Sequence, residues 1–197
     1  RRPPGSTLFP YPTLFRSAAM GCPGWAYEDV LPYFKEVEDN ELGAGPYHGS
    51  GGPLYVSNPE SGNAAYEAFI QAGVELGYPR NDDLNGADQT GFGPFQLNIK
   101  NGRRWSAADA FLKPAYGRKN LTVRTDVQVL GIEFEGTRAT GVTVSGTNGV
   151  ETLSAGAVVL SAGSIGTPHL LMLSGVGPAD HLGEHGIDVV ADRAEVG

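Results

Sequence analysis

The stretch that most limits how this chain can fold is AVVLSAGSIGTPHLLMLSGVGP, residues 157 to 178. Val158 to Ser161 is short, apolar and bounded by Gly156 and Gly163, the pattern of a strand buried on both faces. Gly163 and Gly166 permit a sharp turn. Thr167-Pro168 then reads as an N-cap with proline at the first helical position. Leu170 to Leu173 supplies the apolar body of a short helix, and Ser174-Gly175, with Gly177 and Pro178 beyond, supplies its stop. The segment therefore predicts strand, tight turn and helix.

Upstream of it, residues 120 to 162 predict a β-meander. LTVRT is the first strand, and VQVLGIEFEG follows with Val127, Val129, Ile132 and Phe134 as inward candidates. TGVTVSG turns at Asn148-Gly149 into VETLS, and AVVLSAG closes the set. The earlier part is helical in character. WAYEDVLPYFKEVEDNE, residues 25 to 41, puts Val30, Phe34 and Val37 on one face beside Leu31. A glycine-rich loop leads to the short strand PLYVSN. Residues 64 to 76 follow as a helix with Ala65, Phe69, Ala72 and Leu76 along one stripe, closed by Gly77. Residues 80 to 103 read as loop plus strand, and Ser106 with Asp109 offers a capping box. The class is α/β in the mixed, α+β sense.

Bulk properties exclude several functions. Fourteen basic against 22 acidic residues give a net charge of −8, which disfavours nucleic acid as a partner. No apolar run reaches the ~18–20 residues that span a bilayer, so a transmembrane segment is not expected. Cytoplasmic or peripherally membrane-associated placement is expected instead. The single Cys22 leaves no internal disulfide framework and no cysteine-rich metal site. Residues 1 to 17, RRPPGSTLFPYPTLFRS, repeat Thr-Leu-Phe around Pro-Tyr-Pro and are expected to be a non-native leader.

Candidate chemistry by residue type is sparse. Ser161 to Gly166 carries only the last two glycines of G-x-G-x-x-G, so a glycine-enabled turn is the plainer reading. His181-Leu182-Gly183-Glu184-His185 has H-x-x-E-H spacing, but Gly183 and Gly186 deny it a helix long enough to hold zinc, and no metal is expected. His48, His169, His181 and His185 read as surface or structural histidines. Asn120-Leu121-Thr122 is a chance sequon, and no G-x-S-x-G elbow occurs.

Taken together, the blocks resemble the glucose–methanol–choline oxidoreductases, nearest to their choline-dehydrogenase branch. Gly163-Ser164, Thr167-Pro168, Leu170-Leu171 and Ser174-Gly175-Val176-Gly177 match the second signature of that family. GWAYEDVLPYFKEVED, YHGSGGPLYVS, GYPRNDDLNGADQTGFGPFQ, GRRWSAADAFLKPAYGRKNLTVRTDVQVLGI and HGIDVV resemble its other segments, so residues 24 to 197 are covered almost without a gap. The resemblance implies part of a substrate-binding domain over 18–118 and part of an FAD-binding domain over 119–197. It implies FAD as cofactor, an alcohol as small-molecule substrate and hydride transfer to the flavin, with the electron acceptor unspecified. It assigns Ser161, Ala162 and Gly163 to a turn against FAD, where Gly163 lets backbone approach closely, and Val129 to a main-chain contact with the adenine. It assigns no catalytic residue to this chain. The family's pyrophosphate motif and catalytic histidine are expected outside it, so the chain alone is expected to be inactive. The alternative is a non-catalytic α+β binding module whose glycine turn is structural.

Overall fold

Helix α1 (Tyr27–Val37) starts where Asp29, three residues after the Ala26 cap, reaches back to accept from the Ala26 N–H at 3.1 Å. It ends four residues earlier than the sequence predicts. Residues Glu38–Asn40 leave the helix as strand β1 and pair in parallel with β2 (Leu54–Val56). The cause is the loop between them. Gly49 and Gly52 lie so close to the helix end that a Cβ on Gly49 would sit 1.7 Å from the Lys35 carbonyl oxygen, and one on Gly52 2.4 Å from the Val37 carbonyl carbon. Asn40 N–H donates to the Gly49 carbonyl and Gly52 N–H to the Glu38 carbonyl, both at 3.0 Å. Those lateral bonds satisfy backbone that would otherwise need another helical turn. The structure, a computed structural model, describes residues 18–58 and 62–197; the leader expected over 1–17 lies outside the described residues.

Helix α2 (Ala64–Glu75) is capped by the Asn63 side chain, which accepts from the Ala65 N–H at 2.9 Å. Its buried positions are Ile70 and Gly73, not the expected stripe, and Phe69 is 66% exposed. Gly73 explains the difference. Its missing side chain admits the Phe92 ring, which a Cβ would meet at 2.4 Å, and Phe69 and Tyr78 pack on the same ring with centroids 5.3 and 5.4 Å away. A short antiparallel pair follows, β3 (Ile99–Lys100) and β4 (Arg103–Arg104). The capping box is present, with Ser106 N–H donating to Asp109 and Asp109 N–H donating to Ser106 Oγ. It opens a π turn (Ala108–Leu112) that runs into the single helical turn α3 (Lys113–Ala115).

The chain divides into two compact units, the first ending at Leu121 and the second being Thr122–Gly197. The second is built on an antiparallel meander, β5 (Gln128–Glu135), β6 (Arg138–Gly146) and β7 (Gly149–Ser154). A bulge between Val129 and Gly131 shifts the pairing parity, which is how Ile132 comes to face inward three residues after Val129. Ile132 and Val144 are buried, whereas Val129, expected inside, is 42% exposed. The β6–β7 loop is Thr147-Asn148, one residue earlier than expected, with Gly149 at φ +98° as the first residue of β7, paired with Gly146. After the meander come α4 (Gly163–Leu173), β8 (Val176–Gly177), α5 (Ala179–Glu184) and β9 (Ala191–Asp192), with β8 and β9 parallel.

Three sequence expectations are corrected in this unit. Residues 121 to 125 form no strand, and neither do residues 157 to 161; Val159 is 88% exposed. Apolar β-branched residues set a strand's propensity, but a strand exists only where a neighbour supplies its ladder, and none among the described residues does. Helix α4 begins four residues before Thr167 and carries Pro168 inside it. Thr167 Oγ1 caps nothing ahead of it; it accepts from the Ala162 N–H at 3.1 Å and ties the entering chain back to the helix.

Helix α4 is bonded to the meander through one side chain. Ser174 Oγ accepts from the buried Ile132 N–H at 2.8 Å and donates to the Leu170 carbonyl at 2.7 Å. Ser174→Ala leaves that N–H without an acceptor, at an expected cost of about 1–3 kcal/mol. The check is hydrogen exchange at the Ile132 amide in the full-length protein, which accelerates in the variant. Unchanged exchange there refutes the link.

Candidate functional site

In the second unit, the exposed start of β5 and the extended residues 157 to 162 form two walls of an open groove of about 840 Å³. Val127 to Leu130 contribute one wall. Val158, Val159, Leu160, Ser161 and Ala162 contribute the other, and His169 and Leu170 on α4 complete the lining. The surface is mostly aliphatic, with Gln128, Ser154, Ser161 and His169 as its polar side chains. Such a lining suits a flat, partly apolar group held by few polar contacts.

Of the four residues singled out in the sequence, the groove brings together Val129, Ser161 and Ala162. Gly163 follows as the first residue of α4, at φ +85°. A Cβ there would meet no atom of the described residues within 4 Å, so crowding among them does not demand a glycine. The demand is conformational: φ +85° lies in the region that L side chains other than Asn and Asp rarely enter. Gly166, one turn on, is closer packed, its Cβ falling 3.1 Å from that of Ala162.

The histidines separate into two kinds. His181 and His185 lie on the surface at α5 and meet edge to face, centroids 4.8 Å apart, which is a ring contact and not a chelating arrangement. His48 is buried, and its surroundings were not visible in the sequence. Its Nδ1 lies 3.2 Å from both Glu38 oxygens and 3.0 Å from Asn40 Nδ2, while Nε2 lies 3.1 and 3.0 Å from the two Asp83 oxygens. Burial pulls the ring's pKa down, but the hydrogen bonds and charges of Asp83 and Glu38 outweigh it, and the net direction is upward. Beside this cluster lies a smaller pocket of about 300 Å³, lined by Phe34, Tyr47, Asn85, Gln96 and Asn98 among others. The Gln96 amide nitrogen is buried there without a hydrogen-bond partner among the described residues. The one signal that pointed to this region is the run Gly49-Ser50-Gly51-Gly52, because close backbone approach requires glycine.

Known proteins resemble the chain over almost its whole length. Residues 17–189 match the family described as GMC oxidoreductase. An oxygen-dependent choline dehydrogenase of Brucella ovis is 49% identical over 178 residues, and one of Rhizobium etli 46% over 179; each match covers 90% of this chain and 32% of the relative. Among solved structures, pyridoxine 4-oxidase from Mesorbium loti superposes with a TM-score of 0.85 at 39% identity, covering 92% of this chain and 36% of that one. An FAD-dependent oxidoreductase from Chaetomium thermophilum gives 0.82 at 30%, covering 92% and 34%. The chain spans about a third of the length of the relatives it matches.

Proposed function

The chain belongs to the GMC oxidoreductase family, and from that premise we propose that it is part of an FAD-dependent oxidoreductase that oxidises the CH–OH group of a small alcohol, choline foremost. The observation that carries the reading is the groove of the second unit, in which Val129, Ser161 and Ala162 share one lining. Its aliphatic walls fit the faces of an aromatic ring system, and the few polar points leave hydrogen bonding largely to the main chain. Bound FAD would supply the two-electron acceptor for hydride leaving the alcohol carbon.

This chain's own residues would then hold and exclude. Val129 would present main chain to the adenine end, which tolerates many side chains at that position. Ser161 and Ala162 would line the approach to α4, and Gly163 would set the direction in which the chain enters that helix. Residues 119–197 would thus be the FAD-binding part and residues 18–118 a substrate-binding part. His169 lines the groove, but nothing in its surroundings assigns it proton transfer. The substrate assignment rests on the choline dehydrogenases at 46–49% identity.

The test compares two proteins. The full-length protein carrying this chain is expected to purify yellow, with a flavin spectrum that choline bleaches under anaerobic conditions. The chain alone, supplied with FAD and choline, is expected to retain no stoichiometric flavin and to oxidise nothing, since it leaves Val159 and Ile165 88% and 84% exposed. A colourless full-length protein refutes the cofactor, a yellow one indifferent to choline refutes the substrate, and a yellow isolated chain refutes the partial site.

A further inference from the structure

His48 sits in the Gly-rich loop between β1 and β2, and three side chains from two segments converge on its ring. Glu38 reaches it from β1, Asn40 from the end of β1, and Asp83 from the loop that follows α2. That last loop is already braced within itself. Asn81 Nδ2 donates to the Asp88 and Thr90 carbonyls, Asn81 N–H donates to the Phe92 carbonyl, and Phe92 N–H donates to the Pro79 carbonyl. Residues 79–92 therefore form a small lobe, and His48 to Asp83 joins it to β1. We propose that His48 is a protonation-dependent clamp, whose imidazolium holds the 79–92 lobe against β1 between Asp83 and Glu38 and lets it loosen when the proton leaves.

The donor count gives the mechanism. With both nitrogens protonated, Nδ1–H donates to Glu38 and Nε2–H to Asp83. Glu38 also accepts from Asn40 Nδ2 at 3.0 Å and from the Gly49 N–H at 2.8 Å, so the carboxylate is fully engaged. Asn40 is fixed in that orientation because its Oδ1 accepts from the Leu42 N–H. With the ring neutral, Nε2–H still donates to Asp83 and Nδ1 accepts from Asn40. The Glu38 carboxylate then faces a nitrogen lone pair, and two carboxylates share a half-buried site with no cation between them. The ring stays in place, but the charge that gathered the two acids is gone.

Among the described residues, no neighbouring cation substitutes for it. On α1, Lys35 Nζ donates to the Pro46 carbonyl. On β1, Asp39 accepts from the Gly51 N–H, and Glu41 beyond it accepts from the Asn58 N–H. On the lobe, Arg80 is engaged by Glu67 and Asp82. The ring's pKa is raised above its ordinary 6.5. The stabilisation is therefore complete below about 6.5 and is lost as pH rises through the higher folded-state value. The lobe also supplies Asn85 to the adjoining 300 Å³ pocket, so loosening the clamp opens one side of that pocket.

Hydrogen exchange of residues 79–92 in the full-length protein, corrected for the intrinsic rate and followed from mildly acid to mildly alkaline pH, tests the clamp. Opening of the lobe is expected to rise by up to about tenfold per pH unit above the ordinary histidine range and to level off past the folded-state pKa. In His48→Gln, which cannot change charge, that rise disappears. Should that variant fail to fold, Asp83→Asn serves instead: removing one carboxylate lowers the ring's pKa and moves the rise to lower pH. A flat profile in the native protein, the same slope in His48→Gln, or an unshifted profile in Asp83→Asn overturns the proposal.

Discussion

Gly175→Ala is expected to open the end of the second unit. Gly175 follows α4 and holds φ +84°, where an alanine costs about 1–2 kcal/mol through its backbone alone. Its Cβ would also fall 2.4 Å from the Asp188 carbonyl oxygen and 3.1 Å from the Val190 nitrogen, both main-chain atoms with no rotamer to retreat into. The Gly175 carbonyl meanwhile accepts from the Val190 and Ala191 N–H groups at 2.8 and 3.1 Å, which pins β9 beside β8. The alanine can be accommodated only by pushing away the strand that the same residue binds. Overpacking of this kind adds about 1–3 kcal/mol, for a total on the order of 2–5 kcal/mol, or about thirtyfold to several-thousandfold in local opening. Hydrogen exchange across residues 174–192 of the full-length protein reads it out. Gly183→Ala is the contrast, since its Cβ meets nothing within 4 Å and lies inside helix α5. It should protect the same region equally well or better. Equal protection in both variants would mean the close approach at Gly175 carries no energy.

What could be read from the sequence divides along a physical line. Signals complete within a few residues came through: the Ser106–Asp109 capping box, the hairpin marked by Gly149, the existence of α2 and its stop at Gly77. Readings that needed a partner far along the chain did not. The strands read from LTVRT and AVVLSAG have suitable residues but no ladder to join. The stripe that periodicity predicts for α2 is its exposed one, because the decisive feature is Gly73 making room for Phe92, nineteen positions along the chain. His48 shows the same limit at the level of a site, since its acids lie 10 and 35 residues away. The groove was legible only in part. Resemblance to a family named Val129, Ser161 and Ala162, while periodicity alone placed Val129 in the core.

Gly163→Val in the full-length protein is expected to purify with much less flavin than the native enzyme, and the reason differs from simple crowding. No atom of the described residues lies within 4 Å of a Cβ at that position. The penalty is in the backbone, because φ +85° is an outlier for any β-branched residue and costs on the order of 1–3 kcal/mol. The cheapest escape is to bring φ to a negative value, which redirects the chain as it enters α4. That would break the hydrogen bond from Ala162 N–H to Thr167 Oγ1 and swing Ser161 and Ala162 out of the groove lining. Since the groove has few polar points, a displaced wall removes most of what the site offers a flavin nucleotide. Gly163→Asn separates this cause from occlusion of the cofactor by a side chain, because asparagine tolerates positive φ and is close to valine in bulk. If direction of the chain is what matters, the asparagine variant keeps its flavin and the valine variant loses it. Loss in both would mean that the cofactor itself approaches Gly163 too closely for any side chain. Full occupancy in the valine variant, measured as the ratio of flavin to protein absorbance, would remove Gly163 from the site altogether.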